Sequence, residues 1–320
     1  MKNLKFPLPE GFSAGHGRAD MTPEIPVLLG GGKIAEAIRD PMLTTCTAVS
    51  DGETVVLLYH NDMKDTPRPF FLEAAEEIEK ETGVPQTHIV LNATHNHSCP
   101  HTIKLTDECV AWRKKAFYAM AEAGKQAILD LAPAKVSIGK KEAPNFCFTR
   151  RYVMKDGSFK SIQSKNPCTE YAGHENDADT ELRVIRFHRE GKKDIILANW
   201  QMHAAHAIGV YKKTISADFP ADLRNKVESE MGAHLSYHNG ASGNLVMTDK
   251  MGNRIFPDHH EIGFALKGVL EEALREGEMV NTGKIRIDVC NLPCRVQRDS
   301  EEKKAHAKEW ARAPKEEKDA

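Results

Sequence analysis

No apolar run in this chain approaches the roughly 20 residues that a helix needs to cross a bilayer, so the sequence holds no candidate membrane-spanning helix. An excess of either charge is also missing. Lys and Arg number 44 against 46 Asp and Glu, for a net charge of −2, and no strong basic cluster precedes the C-terminal tail. A nucleic acid or an anionic membrane is therefore not the expected partner. The opening residues, Met1-Lys2-Asn3-Leu4-Lys5-Phe6-Pro7, contain no apolar segment of the secretory kind, and the expected location is the cytoplasm. The seven cysteines (Cys46, Cys99, Cys109, Cys147, Cys168, Cys290 and Cys294) are odd in number and scattered. That fits free thiols in a reducing compartment, not a disulfide framework. Cys290 and Cys294 stand in a C-x3-C spacing with no second pair nearby, and in a strand they would simply pack as apolar side chains. There is no internal repeat and no flexible interdomain linker, and low complexity is confined to the tail.

What is present is enough chain, 320 residues, for one large domain or two ordinary ones. Val55 to Leu58 form a continuous apolar run inside a strand expected over 53–62, which ends in His60-Asn61-Asp62. An amphipathic helix over 70–81 follows, stopped by Gly83 and Pro85. A strand is expected over 88–94, then a long helix over 107–131 capped by Thr106 or Asp107. The stretch from about 138 to 180 reads as irregular. Beyond it, 182–188 and 194–199 form a hairpin turning at Glu190-Gly191-Lys192. Helices are expected over 220–231 and 261–276, and strands over 235–238 and 285–296. From residue 298 the chain becomes a charged helical tract. This alternation predicts an α/β fold, a layered domain with a mixed β-sheet core flanked by helices. One domain is expected over 1–297.

Fifteen histidines are more than a chain of this size usually carries. The most informative are in Asn92-Ala93-Thr94-His95-Asn96-His97-Ser98-Cys99-Pro100. In extended backbone, residues two apart point to the same side, so His95 and His97 would present their imidazoles together at a strand end. His203, past another strand, would bring a third nitrogen to the same point. Three ligands with an open position suit a catalytic zinc; hydrogen-bonded turn residues would place the same histidines. Gly30-Gly31-Gly32-Lys33 lacks the spacing of a phosphate-binding loop and reads as a turn. His259-His260-Glu261 has residue types that could bind metal, but at a helix start it reads more simply as a solvated cap.

Several short motifs, taken in order, resemble the neutral/alkaline ceramidases, a family of zinc-dependent amidases. Ala14-Gly15-His16-Gly17-Arg18-Ala19-Asp20-Met21-Thr22-Pro23 is similar to the glycine-rich D-[IM]-T-P opening of that family. The strand ending at Asp62 is similar to its second signature. Ala93 to Pro100 resembles A-T-H-x-H-S-x-P, and Thr149-Arg150-Arg151 resembles N-R-[SR]. Asn199 to His203, followed by Ile215-Ser216-Ala217-Asp218, is similar to the aromatic-x-x-His segment with its trailing S-x-D. Asn239 to Asn244 resembles the glycine-rich N-x-G-D loop. The resemblance implies zinc held by His95 and His203, with His97 hydrogen-bonding the reacting carbonyl and Arg150 helping to stabilise its charge. It implies a water activated at the metal and a small N-acyl substrate cleaved to a carboxylate and an amine.

Two departures from the family pattern stand out. Where a serine is expected past the glycine-rich loop, this chain has Val246, and Asn244 takes the acidic position. This bears on ceramide as substrate more than on zinc. The family's glutamate and tyrosine ligands come from sequence well downstream of the motifs matched in this chain, and neither stretch occurs before Ala320. The expectation is therefore an N-terminal part of the catalytic domain. Asp62, His206, Asp218 or a subunit partner in a homo-oligomer are the local alternatives for completing the site. An amidohydrolase barrel also places H-x-H after a strand, but on its first strand and with eight βα units, which do not fit this chain. A non-catalytic domain that binds a ligand or partner is the alternative outside catalysis, favoured by Val246 and by the two ligand stretches not found in this sequence.

Overall fold

A computed structural model describes residues 3–161, 170–249, 255, 256, 258–290, 292, 293 and 300–312. The chain divides into two units, Met1–Arg286 and Ile287–Ala320. In the first unit the core is a nine-stranded mixed sheet. Its strands are β1 (Ser13–Asp20), β2 (Leu43–Ser50), β3 (Val55–Asn61), β4 (Ile89–Ala93), β5 (Ala132–Glu142), β6 (Glu181–Arg189), β7 (Ile195–Trp200), β8 (His234–Asn239) and β9 (Glu278–Val280). The order is β8-β7-β6-β5-β1-β2-β3-β4, with β9 paired to β5. The β3–β4 and β7–β8 pairs are parallel and the remaining pairs antiparallel. Helices α1 (Arg68–Thr82), α2 (Asp107–Leu129), α3 (Phe219–Glu230) and α4 (His259–Arg275) cover its outer faces.

The sheet is continuous only through Ser13↔Pro133 and Ala14↔Ala132, and at that narrow joint it folds back on itself. Three apolar clusters record the resulting layers. One packs α1 and α2 on β1 to β4, through residues such as Phe70, Trp112, Leu57 and Tyr59. Another packs α3 and α4 on β6 to β8, through Phe219, Leu266, Trp200 and Leu235. The third, with Ala14, Val49, Val136, Phe187, Ile195 and Leu197, lies where the two half-sheets face each other. The architecture is therefore helix, sheet, sheet, helix. Gly15 and Gly17 explain how α2 lies so close to β1: a Cβ on either would come within 2.0 Å of the Ala127 or Ala123 carbonyl oxygen. Their alternation turns His16 toward the facing half-sheet, where its ring stacks on that of His234 at 4.2 Å.

The hairpin, the long helix with its Thr106 cap and the helix entered through Pro220 match expectation. Several expectations are corrected. The stretch from 138 is not uniformly irregular: β5 runs to Glu142, and Arg151–Met154, Phe159–Ser161 and Tyr171–His174 form a small three-stranded sheet. The strand expected over 285–296 is absent from Lys284 to Cys290. There Ile285 N donates to the Asp51 carboxylate (2.8 Å) in place of a strand partner, and Cys290 is exposed, not packed. The helix expected from 261 starts at His259, which is buried and not solvated, because Asp258 caps the helix and binds the ring (2.6 Å). Cys168 and Cys294 lie outside the described residues. In the second unit the described helix is α5 (Glu301–Arg312). No described helix is long and apolar enough to cross a membrane.

A buried ion pair joins the two half-sheets. Arg224 on α3 donates to Asp62, just past β3, at 3.0 Å, and both side chains are sealed from water. The ring of His60 spans from the Tyr237 carbonyl on β8 to Asp62 (2.9 Å). Leu43 N also donates to Asp62 (3.0 Å). Burial pushes the Asp62 carboxyl up, but the Arg224 charge and the His60 hydrogen bond outweigh it and hold the group at about 2. An unfolded Asp titrates near 3.9. The stabilisation is therefore present above about pH 4 and is lost as pH falls toward 2. Replacing Asp62 with Asn leaves Arg224 buried without a counter-charge, at a cost of about 3 kcal/mol or more at neutral pH. Denaturant unfolding at pH 7 and at pH 3 should show the Asp62→Asn deficit shrinking as the pH falls.

Candidate metal centre

β4 ends at Ala93 and β7 ends at Trp200, and the loops that leave them are stitched together by backbone. Ala204 N donates to Thr94 O (3.0 Å) and His97 N donates to Ala204 O (3.0 Å). Asn96, fully buried, fixes the turn from within: its Oδ1 accepts from Ser98 N (2.8 Å) and its Nδ2 donates to Ser216 O (2.6 Å). These bonds bring three rings together. Centroids lie 4.9 Å apart for His95 and His97, 5.4 Å for His95 and His203, and 5.7 Å for His97 and His203.

The expectation that extended backbone co-directs His95 and His97 is corrected. His95 has φ +56°, in the left-handed region, where a non-glycine residue costs about 1–3 kcal/mol unless its surroundings hold it there. The rings meet because the loop turns at His95, and the backbone bonds at Thr94 and His97 on either side hold that turn.

Each imidazole has a distinct environment. His95 Nδ1 faces Lys64 O at 3.1 Å and Asp65 Oδ1 at 3.3 Å. Two oxygens at Nδ1 place the proton there and leave Nε2 with its lone pair, the arrangement a metal-ligating histidine adopts. His97 Nε2 and His203 Nδ1 are buried without a hydrogen-bond partner. Burial, and then the neighbouring His95, lower both rings to about 4. Lys64 adds to this at His97, while His97 and Arg150 add to it at His203. Both are thus neutral at physiological pH, the form that binds a metal or donates one hydrogen bond. Buried unpartnered nitrogens on half-buried neutral rings fit a metal centre.

Of the residues singled out by sequence, His95, His97 and His203 are brought together and Arg150 lies within electrostatic reach. Arg150 N donates to Asn244 O (2.8 Å), beside the pairing of Phe148–Thr149 with Leu245–Val246. Val246 lines a cavity of about 140 Å³ with Met202, His203, His206 and Met247. The local alternatives for a further ligand are engaged elsewhere. Asp62 is spent on Arg224, Asp218 accepts from Phe219 N and Ala207 N at 2.7 and 2.6 Å, and His206 Nε2 lies 2.7 Å from Phe256 O. Asp65 and Asn96 were not legible in the sequence, because neither belongs to a spacing that distinguishes it from any polar loop residue.

Two groups of three donors with all ligand atoms within 4.8 Å occur among the described residues, and both lie elsewhere: His16, Glu228 and His234, and Asp222, His259 and His260. In each the carboxylate already has a partner, Glu228 in Arg18 outside the group (2.8 Å) and Asp222 in His260 within it. The three loop histidines are less tightly gathered than these groups.

No family model and no curated protein matches the chain. Solved structures that match include neutral ceramidase from Pseudomonas aeruginosa, with a TM-score of 0.66 and 18% identity over 85% of this chain and 46% of that one. A ceramidase complexed with C2 matches with a TM-score of 0.66 and 17% identity, over the same shares of each chain. The chain therefore has the fold of these ceramidases and spans about half their length.

The two low-titrating rings generate a prediction. Unfolded histidine titrates near 6.5, so protons bind the unfolded chain first and stability falls as pH drops from about 6.5 toward 4. In NMR titrations of the metal-free protein, the His97 and His203 ring signals should stay unshifted from pH 8 to about 5.5 and move only near 4.

Proposed function

We propose that this chain carries the histidine centre of a zinc-dependent hydrolase of the neutral ceramidase type, which cleaves the amide bond of an N-acyl compound. The observation that carries the reading is the meeting of three imidazoles at a junction of two loops, on a fold shared with neutral ceramidase. His95, with its proton held at Nδ1, and His203 would hold the metal. Zinc, when bound, supplies a Lewis acid that polarises a carbonyl and makes water a nucleophile at neutral pH.

The chain's own residues have separable tasks. His97, through its unpartnered Nε2, donates to the carbonyl oxygen as that oxygen gains charge. Arg150, near enough to act on the His203 ring, adds positive charge to the site. The cavity beside His203, lined by Met202, Val246 and Met247 and also by His206 and Thr248, takes a small part of the substrate. Val246 offers no hydroxyl to a polar headgroup, which favours an N-acyl compound other than ceramide itself. The same valine also supports the second reading, a domain that binds a ligand without turnover.

Metal analysis after dialysis and hydrolysis of a panel of N-acyl amides test the assignment. His95→Ala and His203→Ala should each lose zinc. His97→Ala should keep zinc and lose about 10²–10³ in kcat, the usual cost of removing one donor to a developing oxyanion. Hydrolysis should stop with a chelator and return with Zn2+. Zinc retention without hydrolysis of any panel member would favour the non-catalytic reading, and wild-type protein without zinc would overturn the zinc-hydrolase reading.

A further inference from the structure

β8 and β4 are the outermost strands of the sheet, so each has one edge of backbone groups without a ladder partner. Because the sheet folds back, these edges approach each other at the end where the histidine loops emerge. Asn92 on β4 closes the gap. Its Oδ1 accepts from Asn239 N and its Nδ2 donates to Asn239 O, each at 3.0 Å. A side-chain amide carries the same donor and acceptor as a peptide group, so Asn92 stands in for one residue of a missing strand. It is itself fixed, since its backbone carbonyl accepts from Asn61 Nδ2 (3.0 Å). On the other side, Asn239 Nδ2 donates to Ser242 Oγ (3.1 Å).

The placement is symmetrical about the proposed centre. Asn92 lies three residues before His95, while Asn239 pairs in register with Trp200, which lies three residues before His203. The clip thus ties the two strands together one short step behind the two proposed ligands.

We propose that Asn92 is a positioning residue for the histidine centre: its paired hydrogen bonds to Asn239 set the separation between His95 and His203. This rests on the reading that zinc binds those two side chains. A second polar link between the half-sheets provides the control. Thr45 Oγ1 on β2 and Ser236 Oγ on β8 lie 3.0 Å apart, fully buried and away from the histidine loops.

The test is Zn2+ affinity of the full chain, by competition with a chromophoric chelator, alongside Tm. Asn92→Ala is expected to weaken Zn2+ binding about 10- to 100-fold, the range for residues that orient metal ligands. Asn92→Asp, which keeps the acceptor but turns the donor into an oxygen facing Asn239 O, should weaken it likewise. Thr45→Val should lower Tm to a similar degree and leave Zn2+ affinity near wild type. Unchanged affinity in Asn92→Ala, or an equal loss in Thr45→Val, overturns the positioning role while leaving the zinc centre intact. Wild-type protein that binds no Zn2+ overturns the zinc centre and this inference together.

Discussion

Asp62 and Arg224 place opposite charges in the seam between the two half-sheets, where neither can be left without the other. The sheet is continuous across that seam through only two residue pairs, and the apolar layer between its halves is small. Polar links therefore carry an unusual share of the register. Asp62 takes both half-sheets as partners, through Leu43 on one side and Arg224 on the other, and His60 extends the link to β8. Such a pair is a weak source of net stability but a strong discriminator against other arrangements, because any slip would bury a lone charge. In this protein it specifies which residues of β3 and α3 face each other, and so where the loops beyond β4 and β7 come out.

Those loops carry the candidate metal centre. Main-chain bonds at Thr94, His97 and Ala204 are insensitive to side-chain identity, so the scaffold gathers three imidazoles while His97 Nε2 and His203 Nδ1 stay without a partner. The arrangement carries a left-handed residue at His95 and two buried unpartnered ring atoms. Locally unfavourable backbone and unsatisfied polar atoms concentrate where a protein has a use for them. In this chain they coincide in one loop pair.

Much of the fold was legible because its elements declare themselves by period and punctuation. The Gly191 turn of the hairpin, the Thr106 cap and the apolar run at Val55 to Leu58 all appear in the structure. Other strands were hidden for identifiable reasons. β1 carries two glycines because α2 lies against it, and glycine reads as a breaker. β2 is a threonine-rich strand buried nearly throughout, so it shows no alternation of apolar and polar residues. β5 begins at Ala132-Pro133, which suggests the stop of a helix. The histidine motif itself was legible as residue types in order, yet its geometry was not. The left-handed turn at His95, Asp65 behind its ring and the Asn92 clip arise from contacts between segments roughly 30 to 150 residues apart, which no local pattern encodes.

Whether His95 and His203 bind zinc is read out by X-ray absorption at the zinc edge of the purified full chain. The account predicts one zinc per chain with a shell of nitrogen and oxygen at about 2.0–2.1 Å and the outer-shell scattering of two imidazoles. A shell containing sulfur at about 2.3 Å, or zinc scattering unchanged when His95 and His203 are replaced together, would contradict it.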